Sequence, residues 1–385
     1  MTVTAPSGFE AAGIAAGIKR SGALDLAVVV NRGPLQSAAA VFTSNRAKAN
    51  PVLWSEQVIA DGQVAAIVLN SGGANCFTGA EGFQVTHGTA EAAASALGVS
   101  SGDVLVCSTG LIGEQLDGEV VEEGVLSAVA RLSADGGGAD DAARAIMTTD
   151  TMPKTVIVEG DGWRIGGMAK GAGMLAPGLA TMLVVLTTDA ALPATDLDAA
   201  LRAATRVTFD RLDSDGCMST NDQVTLMASG ASGISPSLES FTAALVRACD
   251  QLARLLQGDA EGASHDISIE VLGAVTEDDA VEVGRAVARN NLFKAAIFGN
   301  DPNWGRVLAA IGTTKAPFDP YLVDVTMNGV RVCHAGTPDA PREQVDLTPR
   351  ATHVRVELHS GEASATILTN DLTHDYVHEN SAYSS

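Results

Sequence analysis

Short aliphatic runs closed by Gly, Asn or Ser recur through the first third of the chain: Leu24–Val30, Ala38–Thr43, Val64–Leu69 and Val104–Cys107. Their length and branched side chains predict buried strands. Between the third and fourth, the Ala-rich stretch Glu81–Leu97 predicts a helix packed on them. Alternating strands and helices argue an α/β layer. Gly136-Gly-Gly138 breaks the chain before Asp140–Ile146. Thr155–Glu159 and Trp163–Gly166 then flank Gly160-Asp-Gly162, the pattern of a hairpin. That hairpin delivers the chain to Lys170 and a Gly- and Pro-containing turn, which runs after Ala180 into an unbroken apolar strand.

Further on, Leu197–Leu212 predicts a helix and Asp213–Asp222 a polar turn. Ser235-Pro236 reads as a helix start, a cap followed by proline at the first helical position. Phe241, Leu245, Ala248, Leu252 and Leu255 then keep one helical face apolar up to Gly258. Strand His265–Leu272 and helix Thr276–Ala288 repeat the β-then-α order, with Thr276-x-x-Asp279 as a capping box. Gly299–Arg306 reads as a loop, and the last third as strand throughout. There, Tyr321–Met327 and Val330–His334 flank Asn328-Gly329, while Val354–Leu358 and Ala363–Leu368 flank Ser360-Gly361.

Composition narrows the function classes. With 385 residues, 46% hydrophobic and 18% charged, the chain reads as a well-buried globular protein of two domains or one large α/β unit. A formal charge of −22 offers phosphate backbones no counterion release, so no nucleic-acid partner is expected, and no anionic membrane surface. Cys76, Cys107, Cys217, Cys249 and Cys333 never form a Cys-x-x-Cys pair, the pattern of reduced thiols. No metal-ligating His motif is present, so no catalytic metal is expected. The absence of a signal-like start, or of an apolar run near the ~18 residues that span a bilayer, leads to the expectation of a cytoplasmic protein.

The candidate chemistry centres on Lys170–Ala190. A glycine turn feeding a Thr-headed strand can present the Thr181 hydroxyl at a strained bend. Attack on the Ala180 carbonyl would be an N-to-O acyl shift that breaks the peptide bond and leaves an ester, whose hydrolysis by water cuts the chain. The freed α-amino group, with an unperturbed pKa of about 7.7–8.0, could then serve as base for the same hydroxyl. An ordinary loop entering a buried strand has the same composition. A dinucleotide loop at Gly171-x-Gly173-x-x-Ala176 is excluded, because Pro177 and Gly178 stop the helix it requires. In Ser108-Thr-Gly110 a tight turn can aim N–H groups and a hydroxyl at one point, as an oxyanion site needs.

The run Lys170–Ala190 closely resembles the cleavage segment of the bifunctional ornithine acetyltransferase / glutamate N-acetyltransferase family of arginine biosynthesis. Asn70–Gly79, Ser108–Glu114, Ser219-Thr-Asn-Asp222, Gly299–Arg306 and Asn380–Ser385 resemble family landmarks in the family's order. The interval from Thr151 to Lys170 is shorter than in the family pattern.

The resemblance implies an α/β, self-processing N-terminal-threonine acyltransferase fold with helices layered on β-sheets. The chain would be cut at Ala180–Thr181 into an alpha chain, 1–180, and a beta chain, 181–385, which remain intertwined. By resemblance Thr181 is the nucleophile, Thr109 and Gly110 hold the oxyanion, and Thr151, Lys170, Thr181, Glu261, Asn380 and Ser385 bind substrate. The implied reaction carries acetyl from N2-acetylornithine to glutamate through acetyl-Thr181. No cofactor is implied, and acetyl-CoA stays open as a co-substrate. The implied assembly is a heterotetramer of two alpha and two beta chains. A self-processing aminopeptidase or amidohydrolase of related architecture, a self-cleaving subunit without activity and a secondary-metabolism paralogue remain alternatives.

Overall fold

A computed structural model describes residues 2–176 and 182–382. The junction Ala180–Thr181 and the terminal Ser385 lie outside the described residues. The first half runs β1 (Phe9–Ile14), β2 (Leu26–Asn31), β3 (Ser37–Phe42), α1 (Asn50–Val58), β4 (Ala66–Ser71), α2 (Gly79–Leu97), β5 (Val104–Thr109), α3 (Gly118–Val129), α4 (Gly136–Ala145), β6 (Lys154–Glu159) and β7 (Arg164–Lys170). After the undescribed segment come β8 (Leu183–Thr188), α5 (Ala194–Val207), β9 (Gln223–Ala228), α6 (Leu238–Gly258), β10 (Asp266–Ala274), α7 (Glu277–Ala288), α8 (Asn291–Phe298) and α9 (Trp304–Ile311). The chain closes with β11 (Asp324–Met327), β12 (Val330–His334), β13 (Thr337–Pro338), β14 (Ala351–Glu357), β15 (Ala363–Asn370) and α10 (His374–Ala382).

Two sheets lie face to face. The first has the order β1-β2-β4-β5 and the second β3-β9-β8-β7-β6. Because strand side chains alternate, one run serves two cores. In β2, Val28 and Val30 pack with Ala90, Ala93, Val121 and Val125 of α2 and α3. Ala27 and Val29 of the same strand face inward, with Ile67 and Leu105, onto Met168, Leu183, Val185 and Met227 of the second sheet. In β8 the remaining positions, Val184 and Leu186, pack under α5 and α6. The result is helices, sheet, sheet, helices. The runs carry no polar alternation because both their faces are buried.

The second sheet is built from both sides of the undescribed segment. β7 pairs antiparallel with β8, Lys170 opposite Leu183, and β8 runs parallel to β9. The third sheet, β13-β12-β11-β14-β10-β15, packs one face on α7, α8 and α9.

Several expectations change. Gly136–Gly138 do not break the chain but open α4, because Asp135 accepts from the Gly137 and Gly138 N–H groups. The cap of α6 is Ser237, accepting from Ser240, and not Ser235. The helix expected to reach Leu212 ends at Val207, followed by a 3-10 turn, Phe209–Arg211. Gly299–Arg306 is a loop only as far as Asn303, where α9 begins. The last third is not strand throughout: α8, α9 and α10 lie within or beside it. The capping box of α7 forms as expected. β14 and β15 are no hairpin, since β10 lies between them, parallel to one and antiparallel to the other. All five cysteines are free. Among the described residues no helix is long and apolar enough to cross a membrane.

Leu186 is fully buried between the second sheet and its helices. Leu186→Ala is expected to cost about 2–5 kcal/mol, whereas Leu322→Ala at a half-exposed position changes stability by less than about 0.5 kcal/mol. Urea unfolding midpoints of the two variants check the contrast.

Candidate active site

β5 and β7, from facing sheets, end beside one another. The ammonium of Lys170, last residue of β7, donates to the Thr109 hydroxyl, last residue of β5, at 3.2 Å. A hydroxyl that accepts from an ammonium keeps its own hydrogen to donate elsewhere. Gly110 follows at φ 130°, where a Cβ would stand 2.7 Å from the Gly73 nitrogen. Only glycine fits this bend. Asn221 pins the arrangement by donating to the carbonyls of Ala74 (2.6 Å) and Ser108 (2.8 Å). Its neighbour Asp222 accepts from the Met182 N–H at 3.1 Å, on the first described residue after the junction. Burial raises the Asp222 carboxyl well above the usual carboxylate range.

Lys170 is buried, which lowers its pKa, while Asp150 raises it. Asp150 sits in a chain of buried charge. It accepts from the Gly171 N–H and from Lys154, both at 2.6 Å. Lys154 reaches Asp259 at 2.5 Å. Burial pushes Asp150 up, but Lys170, Lys154 and the Gly171 N–H outweigh it and hold the carboxyl down to about 2.

The remaining expected residues line one cavity of about 700 Å³ with Thr148, Thr149, Asp259 and Arg350: they are Thr151, Glu261 and Asn380. Glu261 ties this wall together. Its carboxylate accepts from Thr149 at 2.7 Å and from Asn380 at 3.0 Å. It lies so close to Gly173 that a Cβ there would stand 2.5 Å from it. The Glu261 N–H donates to Ala172 at 3.0 Å. Thr151 points instead to Asp259, through both its N–H and its hydroxyl. α10, which carries no buried side chain, is held by Asn380 and by Thr373, whose hydroxyl donates to Gly262 at 2.6 Å.

Thus Thr109 and Lys170 form a buried pair with Gly110 exposed beside them, and Glu261 and Asn380 form an open group, joined to the pair through Asp150 and Gly171–Gly173. Thr149, Asp150, Lys154 and Asp259 escaped the sequence reading. The available signal was Thr148-Thr-Asp-Thr151 followed by Lys154, hydroxyls and charges packed at the mouth of a buried strand.

Asp150 depressed to about 2 implies a defined acid response. A carboxyl held below its unfolded value contributes stability above about pH 4 that is lost as pH falls toward 2. The shift corresponds to about 2 kcal/mol. Asp150→Asn should flatten the stability profile between those limits in acid–urea titrations, besides lowering stability at neutral pH.

Sequence comparison extends this geometry. The ArgJ family pattern matches residues 10–385. The arginine biosynthesis bifunctional protein ArgJ of Streptomyces coelicolor is 63% identical over 385 residues, covering 100% of both chains. That of Mycobacterium leprae is 54% identical over 389 residues, covering 100% of this chain and 96% of the relative. A solved chain of ornithine acetyltransferase, complexed with ornithine, from Mycobacterium tuberculosis is 53% identical, with a TM-score of 0.45. It covers 47% of this chain and 96% of its own. With near-complete matches in sequence, the chain belongs to the ArgJ family.

Proposed function

We propose that the protein transfers acetyl from N2-acetylornithine to glutamate with Thr181 as nucleophile, after cleavage between Ala180 and Thr181. Membership of the family supports an acetyltransferase of arginine biosynthesis. The observation that carries the mechanism is the Lys170–Thr109 contact beside the Gly110 bend. Lys170 pairs with Leu183, two residues past Thr181 in the chain, which supports Thr109 and Gly110 as its oxyanion partners.

In the first half-reaction the Thr181 hydroxyl oxygen bonds to the acetyl carbon and its proton passes to the Thr181 α-amine. The carbonyl oxygen gathers negative charge, which the Thr109 hydroxyl and Gly110 N–H stabilise, Lys170 polarising the hydroxyl. The C–N bond then breaks, ornithine leaves with the proton on its nitrogen, and acetyl-Thr181 remains. In the second, the glutamate α-amine attacks the ester, N-acetylglutamate departs and the Thr181 oxygen regains a proton. Donor and acceptor share an α-carboxylate and an α-nitrogen. Glu261 suits the nitrogen and Lys170 the carboxylate, with Asn380, Ser385 and Thr151 completing the clamp. The protein would work without a cofactor in the cytoplasm, as alpha chain 1–180 and beta chain 181–385 in a heterotetramer, with acetyl-CoA open as a second donor.

Thr181→Ala should give one uncut chain of 39.2 kDa without transferase activity, against two fragments in equal amounts for the wild type. Intact-mass analysis of an active wild-type enzyme that never cleaves would overturn the assignment. N-acetylornithine alone should leave one acetyl group on Thr181 by peptide mapping, and initial rates should give parallel double-reciprocal lines. Removal of Asn380–Ser385 should spare cleavage and raise KM for both amino acids. Wild-type kinetics would remove the tail from the site.

A further inference from the structure

A second cluster of chemical groups stands on the third sheet, outside the site described. Asp324 opens β11 and is the direct cross-strand neighbour of Glu357, last residue of β14. Like charges directly opposite on a sheet repel, so this placement calls for a cation between or beside them. Two imidazoles meet it. His334 Nδ1, at the end of β12, lies 2.9 Å from Asp324 Oδ1, and His359 Nε2 lies 3.3 Å from Asp324 Oδ2. The other ring nitrogen of His359 is 3.8 Å from Glu357. Ligand atoms of Asp324, Glu357 and His359 all fall within 4.8 Å of one another, the one such group among the described residues.

We propose that Asp324, Glu357 and His359 form a binding site for one borderline divalent transition ion of the zinc class. Two ligand atoms about 2.1 Å from a tetrahedral ion stand about 3.4 Å apart, close to the His359–Asp324 spacing. His334, on the other oxygen of Asp324, orients that carboxylate. A mixed nitrogen and oxygen donor set suits zinc, cobalt or nickel, whereas magnesium and calcium take oxygen alone. The frame is already fixed. The Ala335 N–H donates to Asp324 at 2.8 Å, backing the carboxylate as outer-shell groups do in metal sites. The turn bearing His359 is held by the N–H groups of Leu358 on Leu272 (2.9 Å) and Ser360 on Gly273 (2.7 Å). Two guanidiniums stand at 3.9 Å, Arg331 from Asp324 and Arg355 from Glu357, and Arg331 is committed to Asp339 at 2.6 Å.

The ion would clamp β11, the end of β14 and the turn after it, far along the strand from Arg350 in the candidate active-site wall. β14 is seven residues long, so its ends lie roughly 20 Å apart. The role is structural, and acetyl transfer does not depend on it.

The test is calorimetric titration of untagged full-length protein with Zn(II) and, separately, Mg(II). One Zn(II) per chain should bind to the wild type and to Cys217→Ser. Asp324→Asn and His359→Ala, checked for native circular dichroism, should bind at least about tenfold more weakly. Zinc should raise the thermal midpoint of the wild type and not of the variants. Absence of saturable zinc binding, binding unchanged in both variants, or binding lost only in Cys217→Ser overturns the site. Magnesium binding equal to that of zinc overturns the transition-ion assignment.

Discussion

Two lysines and two aspartates stand together with their side chains almost wholly buried. Lys154 stands between Asp150 and Asp259, and Asp150 also accepts from Gly171, next to Lys170. Charges taken out of water gain little net stability by pairing, but removing one leaves the others uncompensated at a cost of about 3–5 kcal/mol. The chain of charge therefore acts as a constraint on position more than as a source of stability. It binds together the 148–151 loop, the start of β6, the end of β7 and the loop after α6. Thr151, Lys170 and Glu261 lie on or beside these segments, Asn380 reaches Glu261, and Lys170 reaches across to Thr109.

The strands were legible where both faces are buried, because a run such as Leu183–Leu186 can be little else. Pairing was not. Nothing in Val354–Leu358 or Ala363–Leu368 announces that β10, from nearly a hundred positions earlier, lies between them. That choice is made by the shared core of Ile269, Val354 and Ile367 under α7. The start of α6 differs for a local reason. Serines at 235 and 237 offer the same cap, and only the packing of Phe241 and Leu245 under the second sheet selects the later one.

For the site, resemblance supplied residue identities, and the geometry divides them into a buried and an open group. Lys154 shows why the rest stayed hidden. A lysine beside a proline at a strand start reads as solvated surface, the usual place for that residue. Its burial follows from Asp150, four residues before it, and Asp259, 105 residues after it, on either side of the apolar strand. Thr149 is similar. One hydroxyl among several in Thr148–Thr151 becomes distinct only because Glu261 is brought to it by the end of α6.

The second sheet bears on what a cut at Ala180–Thr181 would do. β3, β6 and β7 precede the junction and β8 and β9 follow it, interleaved in the order β3-β9-β8-β7-β6. Neither piece could keep that sheet alone. The ladder between Ile165–Lys170 and Leu183–Thr188 involves no bond across the junction itself, and Met168 shares a core with Val185 and Met227. Cleavage would remove a covalent link, worth a few kcal/mol of loop-closure entropy, and leave the ladder and both cores in place. A fold of this kind can lose one covalent link between β7 and β8 without giving up the packing of the strands on either side. The same interleaving means that separating the pieces would expose two apolar faces at once, so the fragments of a cut chain would be held as one unit by their shared cores.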